Sequence, residues 1–397
     1  MTPSGGTGGQ ILLMTGKDLS LPRGPGPTHR LDYLIKYLDE KGIEYTAIFP
    51  VPKGPVRQWK TGAGVFIGLP APLLAGTRPG GSGGNVHLNA IKLTRFFFKV
   101  LKMKEPHWRV CIVHGDFMAV LATALRQLKR IDFVIYEDLD YLPAFGSQQR
   151  SSSHIQVVMT ESWAVRNSDL VVSVSDELAK LRLRQGAKKA VTIPNGVDFA
   201  SFANAGTSKT RKPYLLYAGT LQEWSGLHVA IKAMPSILKS VPAARFRIVG
   251  RGISETELKS LARQVHVEAS VDFLGPKDRA ELPGLYGECS IGMATFPDIE
   301  LMRYSSPLKV PEFLAAGLPV VSTGVDGTKH VLEKSGACLF VEANPEAVAE
   351  ACIRLLTDKE KWVEMSNRAR EAGRKMDWNL LFDEEMRHVR DLAGGWT

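Results

Sequence analysis

Short apolar runs alternate along this chain with segments whose apolar residues recur at helical spacing, and the alternation is played through twice. The first pass opens on Ile11-Leu-Leu-Met-Thr15, the kind of run that a strand buried on both faces requires. A loop, Arg23-Gly-Pro-Gly-Pro27, leads to Leu31, Leu34, Ile35 and Leu38 on one helical face. Gly42 stops that helix, and residues 44–49 form the next strand. Runs at 110–113, 132–136, 170–174 and 190–193 carry the pattern on. Residues 195–212 then turn small, polar and basic, the texture of a linker between domains. Strands restart at 214–218, 245–249, 271–274, 290–295, 319–322 and 338–341, with helical segments between them. Strands that alternate with helices lie parallel in one sheet. The expectation is an α/β protein with two doubly wound sheets in series. Residues 50–84, rich in glycine and proline, are expected to form a long surface loop.

A chain of 397 residues has room for two such domains. No stretch approaches the ~18 uninterrupted apolar residues of a membrane span. The polar, glycine-rich residues 1–9 do not read as a secretory leader, so the expected location is the cytoplasm. Four cysteines, none in a Cys-x-x-Cys pair, are expected to be buried reduced thiols and not a zinc site or a disulfide framework. A net charge of +9 asks for an anionic partner: nucleic acid, a membrane face or phosphorylated substrates. No nucleic-acid recognition module is legible. The segment 92–109 carries Arg95-Phe-Phe-Phe-Lys99, Lys102 and Lys104. It is either a helix lying on an anionic membrane or a core helix with a solvated basic face. Three adjacent phenylalanines cover more than one face, which favours the core.

Four segments, in order, carry a family resemblance. The first is residues 168–178, followed by Ile193-Pro-Asn-Gly-Val-Asp198 and Phe202. The second is residues 215–221 with Trp224-Ser-Gly226. The third is Arg247-Ile-Val-Gly-Arg-Gly252 with Val271-Asp-Phe-Leu-Gly275. The fourth is residues 306–322, from Ser306-Pro-Leu-Lys-Val-Pro-Glu312 to Ser322. Together they resemble glycosyltransferase family 4, well over residues 160–390 and in outline over the first 150. The resemblance implies a GT-B fold, two facing Rossmann-like domains with a cleft between them. An acceptor domain (1–200, rejoined by a C-terminal helix at 378–397) would be paired with a nucleotide-sugar domain (210–377). It further implies transfer of a sugar, with retention, from a nucleotide diphosphate sugar, a UDP-sugar being favoured. Neither a metal nor a cofactor is implied. The acceptor would be a saccharide, a glycolipid or another hydroxyl compound, with peripheral contact to an anionic membrane face an open option.

A leaving nucleoside diphosphate must then be held by helix N-termini and fixed cations. Ser306 and Pro307 read as a helix cap and a first-turn proline. Lys309, next to Leu308, adds a full charge, and Glu312 has the family's role of accepting both ribose hydroxyls. Pro311 removes a backbone donor and should kink this helix or delay its start. Gly219, Thr220 and Gly275 at strand ends, with Arg251 and Arg303, complete the donor-binding set. Two departures stand out. Tyr304 occupies the place, eight positions before the glutamate, where many relatives have an acid. Thr220 and Ser225 stand where many have an arginine and a lysine. Lys309, Arg251 and Arg303 are candidates for the missing charge, and Asp298 or Glu300 for the missing acid.

On the N-terminal side, Gly24 and Gly26 would let backbone approach the diphosphate. His114 directly follows the run 110–113 and so sits at the C-terminal edge of the sheet, where open α/β sheets bind ligands. In relatives a histidine near here lies by the anomeric centre, and His114 would orient the sugar or the acceptor. Asp116 and Asp138 also follow strands and are candidates to polarise an acceptor hydroxyl, with helix capping or solvation as the competing roles. A nucleotide-sugar epimerase and a catalytically impaired nucleotide-sugar-binding subunit are the alternatives to a transferase.

Overall fold

A computed structural model describes residues 11–16, 18–19, 28–51, 55–70, 95–103, 107–146, 152–205, 212–325 and 327–395. The chain divides into two compact units, residues 1–193 with 382–397, and residues 194–381.

In the first unit eight strands form one sheet. They are β1 Ile11–Thr15, β2 Tyr45–Val51, β3 Arg57–Thr61, β4 Gly64–Pro70, β5 Trp108–His114, β6 Ile131–Asp138, β7 Leu170–Ser173 and β8 Ala190–Thr192. Their order is β3-β4-β2-β1-β5-β6-β7-β8, and every neighbouring pair is parallel except β3 with β4. β1 is buried at every position because helices cover both faces of the sheet, which explains its unbroken apolar sequence. The strand order reverses between β1 and β5, and a reversal of this kind opens a crevice at the C-terminal ends of the strands. Thr15 and His114, partners in register, flank that point.

The second unit repeats the plan with six strands, all parallel, in the order β11-β10-β9-β12-β13-β14. They are β9 Tyr214–Ala218, β10 Arg245–Val249, β11 Val271–Gly275, β12 Ile291–Ala294, β13 Val320–Ser322 and β14 Cys338–Phe340. Its core gathers Leu215, Ile231, Phe246, Met293 and Cys352 from strands and covering helices. The reversal here lies between β9 and β12, which places Gly219 at the switch point.

Three sequence expectations need correction. Residues 50–84 are not all loop, because β3 and β4 form an antiparallel hairpin and β4 pairs with β2. Gly64 belongs there for room, since a Cβ would stand 2.2 Å from the Tyr45 ring. Trp59 stacks on Phe66 at 5.6 Å, which holds the polar edge strand in place. Residues 194–205 are not a free linker but the start of the second unit. There the helix Phe199–Ala205 packs Phe202 edge-on against Tyr286, with ring centres 5.1 Å apart. A Cβ on Gly196 would lie 2.8 Å from the Met376 carbonyl oxygen, so the Asn-Gly turn is set by close approach. The C-terminal helix is Trp378–Leu392; it belongs to the first unit only from Phe382, where Phe382, Met386 and Val389 are buried.

The aromatic segment forms a helix over 95–101 whose Phe96 and Val100 lie in the core of the first unit, the core role favoured from sequence. Cys111, Cys289 and Cys352 are buried and Cys338 is half-buried, all as free thiols; burial pushes the Cys111 and Cys352 thiols far up. No helix among the described residues is long and apolar enough to cross a membrane.

Candidate active site

In the second unit the loops after β9, β10 and β11 are bolted together through backbone. Gly219 N–H donates to the Val249 carbonyl at 2.9 Å, and Gly250 N–H donates to the Gly275 carbonyl at 2.9 Å. A Cβ on Gly250 would stand 1.9 Å from the Gly219 oxygen, so only glycine allows these loops to touch. Gly219, Gly250 and Gly275 therefore fix the edge at which a ligand would sit. Thr220 is exposed, and its carbonyl accepts the Tyr217 hydroxyl at 2.8 Å. Arg251 is exposed one loop away, its carbonyl accepting Leu221 N–H at 3.0 Å.

Lys309 is buried, and its ammonium lies 3.7 Å from the centre of the Tyr217 ring and 4.9 Å from that of Phe296. Both ring faces attract the cation, and together they hold it beside Gly219. The helix carrying it is Lys309–Ala315, with Leu308 preceding its first residue. This corrects the expected start at Ser306. Ser306 instead receives Asn195, whose N–H donates to its Oγ at 3.2 Å and whose Nδ2 donates to its carbonyl at 2.8 Å. Pro311 thus falls in the first helical turn, where a missing N–H costs nothing, and the later start is the outcome its chemistry favours.

Glu312, one turn on, is 5% exposed and already engaged. Oε1 accepts Arg279 Nη1 at 3.0 Å and Oε2 accepts the Tyr286 hydroxyl at 2.6 Å. Burial, reinforced by the Glu312 charge, pushes the Tyr286 hydroxyl well up, so it stays protonated and donates. Arg279 and Tyr286 escaped the sequence reading; their segment offers no periodic or motif signal. Arg303 and Asp298 pair with each other at the surface at 2.7 Å, so the candidate cation and the candidate acid offset one another. Ser225 is buried, and Tyr304 ends the short helix Glu300–Tyr304.

In the first unit His114 ends β5, buried, with its Nε2 against Glu137 Oε2. Glu137 Oε1 accepts Arg30 Nε at 2.7 Å, and Arg30 Nη2 donates to Glu385 at 2.5 Å. Arg30 Nη1 reaches the Ile193 carbonyl at 3.1 Å. Two carboxylates thus share one guanidinium in a site without water access. Burial raises Glu137, and burial with the Glu137 charge pushes Glu385 up to about 8. Arg30, Glu137 and Glu385, far apart in sequence, were not singled out before the fold joined them. Asp116 opens the helix Asp116–Gln127, is buried and accepts the Thr160 hydroxyl; burial raises its carboxyl and Thr160 partly opposes this. Asp138, the acceptor-side candidate, has its carboxylate engaged within the unit. It is fully buried, takes Arg182 Nε and Nη2 at 2.8 Å each and Ser173 Oγ at 3.0 Å, and so acts as a structural anchor. Gly24 and Gly26 lie outside the described residues.

Two doubly wound sheets in series are the plan of the GT-B fold. Residues 198–376 match the family model for glycosyl transferases group 1, and residues 25–196 match that for a glycosyl transferase 4-like domain. The chain belongs to the group 1 glycosyltransferases and is a glycosyltransferase that takes its sugar from a nucleotide sugar. It is 27% identical to the glycogen synthase of Mycobacterium tuberculosis over 290 residues, covering 70% of this chain and 68% of that one. Among solved structures, sucrose-phosphate synthase from Thermosynechococcus elongatus superposes with a TM-score of 0.75 at 20% identity, over 96% of this chain and 98% of that one. An Anabaena protein solved with UDP and glucose superposes at 0.68 and 15% identity, over 96% and 99%.

Proposed function

We propose that the enzyme is a retaining, metal-independent transferase that binds a UDP-sugar on its second unit and an acceptor hydroxyl on its first. The observation that carries this reading is the single helix Lys309–Ala315, which presents a buried cation and, one turn on, a buried carboxylate at the strand-order reversal. Lys309 takes the diphosphate, standing in for the cations that Thr220 and Ser225 do not supply. Glu312 takes the ribose hydroxyls, exchanging its Arg279 and Tyr286 bonds for the ligand's. The bond between the anomeric carbon and the phosphate oxygen breaks while the acceptor oxygen bonds to the same face of the sugar. The departing phosphate oxygen accepts the acceptor's proton, and Lys309 offsets the charge that develops there. His114 orients the reacting hydroxyl, its ring held against Glu137.

A UDP in the Anabaena relative supports uridine as the base. The acceptor in this reading is a saccharide or glycolipid, taken up with the protein peripheral to an anionic membrane. The test is UDP binding and UDP-sugar turnover in EDTA for the native chain and for Glu312→Ala. Turnover by the native enzyme and its loss in the variant are expected; full turnover by Glu312→Ala would remove Glu312 from the donor site.

A further inference from the structure

The helix Ser152–Asn167 turns an apolar face to solvent. Ile155, Val158, Met159 and Trp163 recur at helical spacing and are 57%, 39%, 67% and 45% exposed. A water-facing stripe of this kind is what proteins normally bury. Its opposite side is used up inside the unit, where Ala164 and Val165 join the core and Glu161 binds Arg182. The indole N–H of Trp163 donates to Thr123 Oγ1 on the neighbouring helix Asp116–Gln127 at 2.9 Å, which anchors the polar edge of a half-exposed ring.

The charges that the two helices expose have one sign. The two helices contain only two carboxylates, Asp116 and Glu161, and both are buried. Arg166 is exposed on the same helix, and Lys129 is exposed just beyond the end of its neighbour. The first unit as a whole holds 27 Lys and Arg against 19 Asp and Glu, the second 23 against 22. Nearly all of the chain's surplus positive charge therefore belongs to the unit that shows the apolar face. A second copy docking there would set this positive unit against itself, whereas an anionic surface is drawn to it.

We propose that this face docks the protein on the surface of an anionic lipid bilayer. Ile155, Val158 and Met159 enter the headgroup boundary, Trp163 lies at headgroup level, and Arg166 and Lys129 meet lipid phosphates. The inference rests on the peripheral-membrane part of the reading above and gives it a surface. That surface is not the aromatic helix 95–101, which spends Phe96 and Val100 on the core.

The experiment is co-sedimentation of the full chain with vesicles of phosphatidylcholine alone and of phosphatidylcholine mixed equally with phosphatidylglycerol. Binding to the mixed vesicles only is expected. Ile155→Glu/Met159→Glu should lower that partitioning at least about tenfold, and Arg166→Glu should lower it as well. Both variants should keep the native melting temperature and UDP affinity in solution, since the substituted side chains are exposed. Three results overturn the inference: equal binding, or none, to both vesicle types; unchanged partitioning of the double variant; or a lipid-free dimer that the double variant dissociates. Loss of vesicle binding with UDP-sugar turnover intact strikes this surface alone. Absent turnover with vesicle binding intact strikes the transferase reading alone.

Discussion

The ammonium of Lys309 lies 3.7 Å from the centre of the Tyr217 ring, at the end of the strand where the second sheet reverses its order. An aromatic face stabilises a cation without neutralising it. Lys309→Met should weaken UDP binding by about ten- to a hundredfold, the range for a hydrogen bond to a charged group. Isothermal titration with UDP measures it. Lys309→Arg should not restore affinity, because a planar guanidinium does not fit the space that Tyr217, Phe296 and Gly219 leave around a compact ammonium.

Glu312 and Tyr286 can be separated by mutation. Glu312→Ala should abolish turnover and, by stranding the buried Tyr286 hydroxyl, cost about 1–3 kcal/mol of stability. Tyr286→Phe removes only the donor, so it should leave turnover measurable while lowering the melting temperature less. Equal loss of turnover in the two variants would show that Tyr286 does more than hold the empty site in shape.

Arg30 holds two carboxylates that have no access to water. Arg30→Met should destabilise the first unit by about 3–5 kcal/mol, the usual cost of breaking a buried pair from one side. Urea denaturation followed by tryptophan fluorescence, to which Trp108 in that unit's core contributes, reads this out.

Glu385 gives stability a pH slope of predictable sign. Its folded value, about 8, lies above the ordinary 4.5, so between those values the folded chain holds a proton that the unfolded chain has released. Its contribution to stability is full below about 4.5 and is lost as pH rises through 8. The melting temperature of the native protein should fall across that window. Glu385→Gln, which keeps the shape and cannot ionise, should flatten the fall.

Much of the fold was legible because buried parallel strands have only one way to look. Residues 11–15 and 214–218 are apolar enough to be bounded by inspection. The hairpin Arg57–Thr61 and Gly64–Pro70 is hard to read because its edge strand is polar and its glycines, among them Gly64 kept for room beside Tyr45, imitate a loop. The donor side was half legible. Lys309 and Glu312 sit in one continuous motif, but Arg279 and Tyr286 reach Glu312 from more than twenty residues away. The pairing of Arg303 with Asp298, which offsets two candidates at once, depends on how a short surface helix is turned. Asp138 shows the limit of reading strand ends, because an acid there serves a ligand or an arginine according to what the next helix delivers, and here it delivers Arg182.

The second unit is an insertion in the first, which closes only with Phe382 and the residues after it. During synthesis the ribosome makes Arg30 and Glu137 early and Glu385 some 250 residues later. The nascent first unit therefore waits, with one carboxylate of its buried pair still unmade and the hydrophobic seat of Phe382 and Met386 open, while the entire second unit is translated. The helix Trp378–Leu392, made after the second unit, is the one that completes the first.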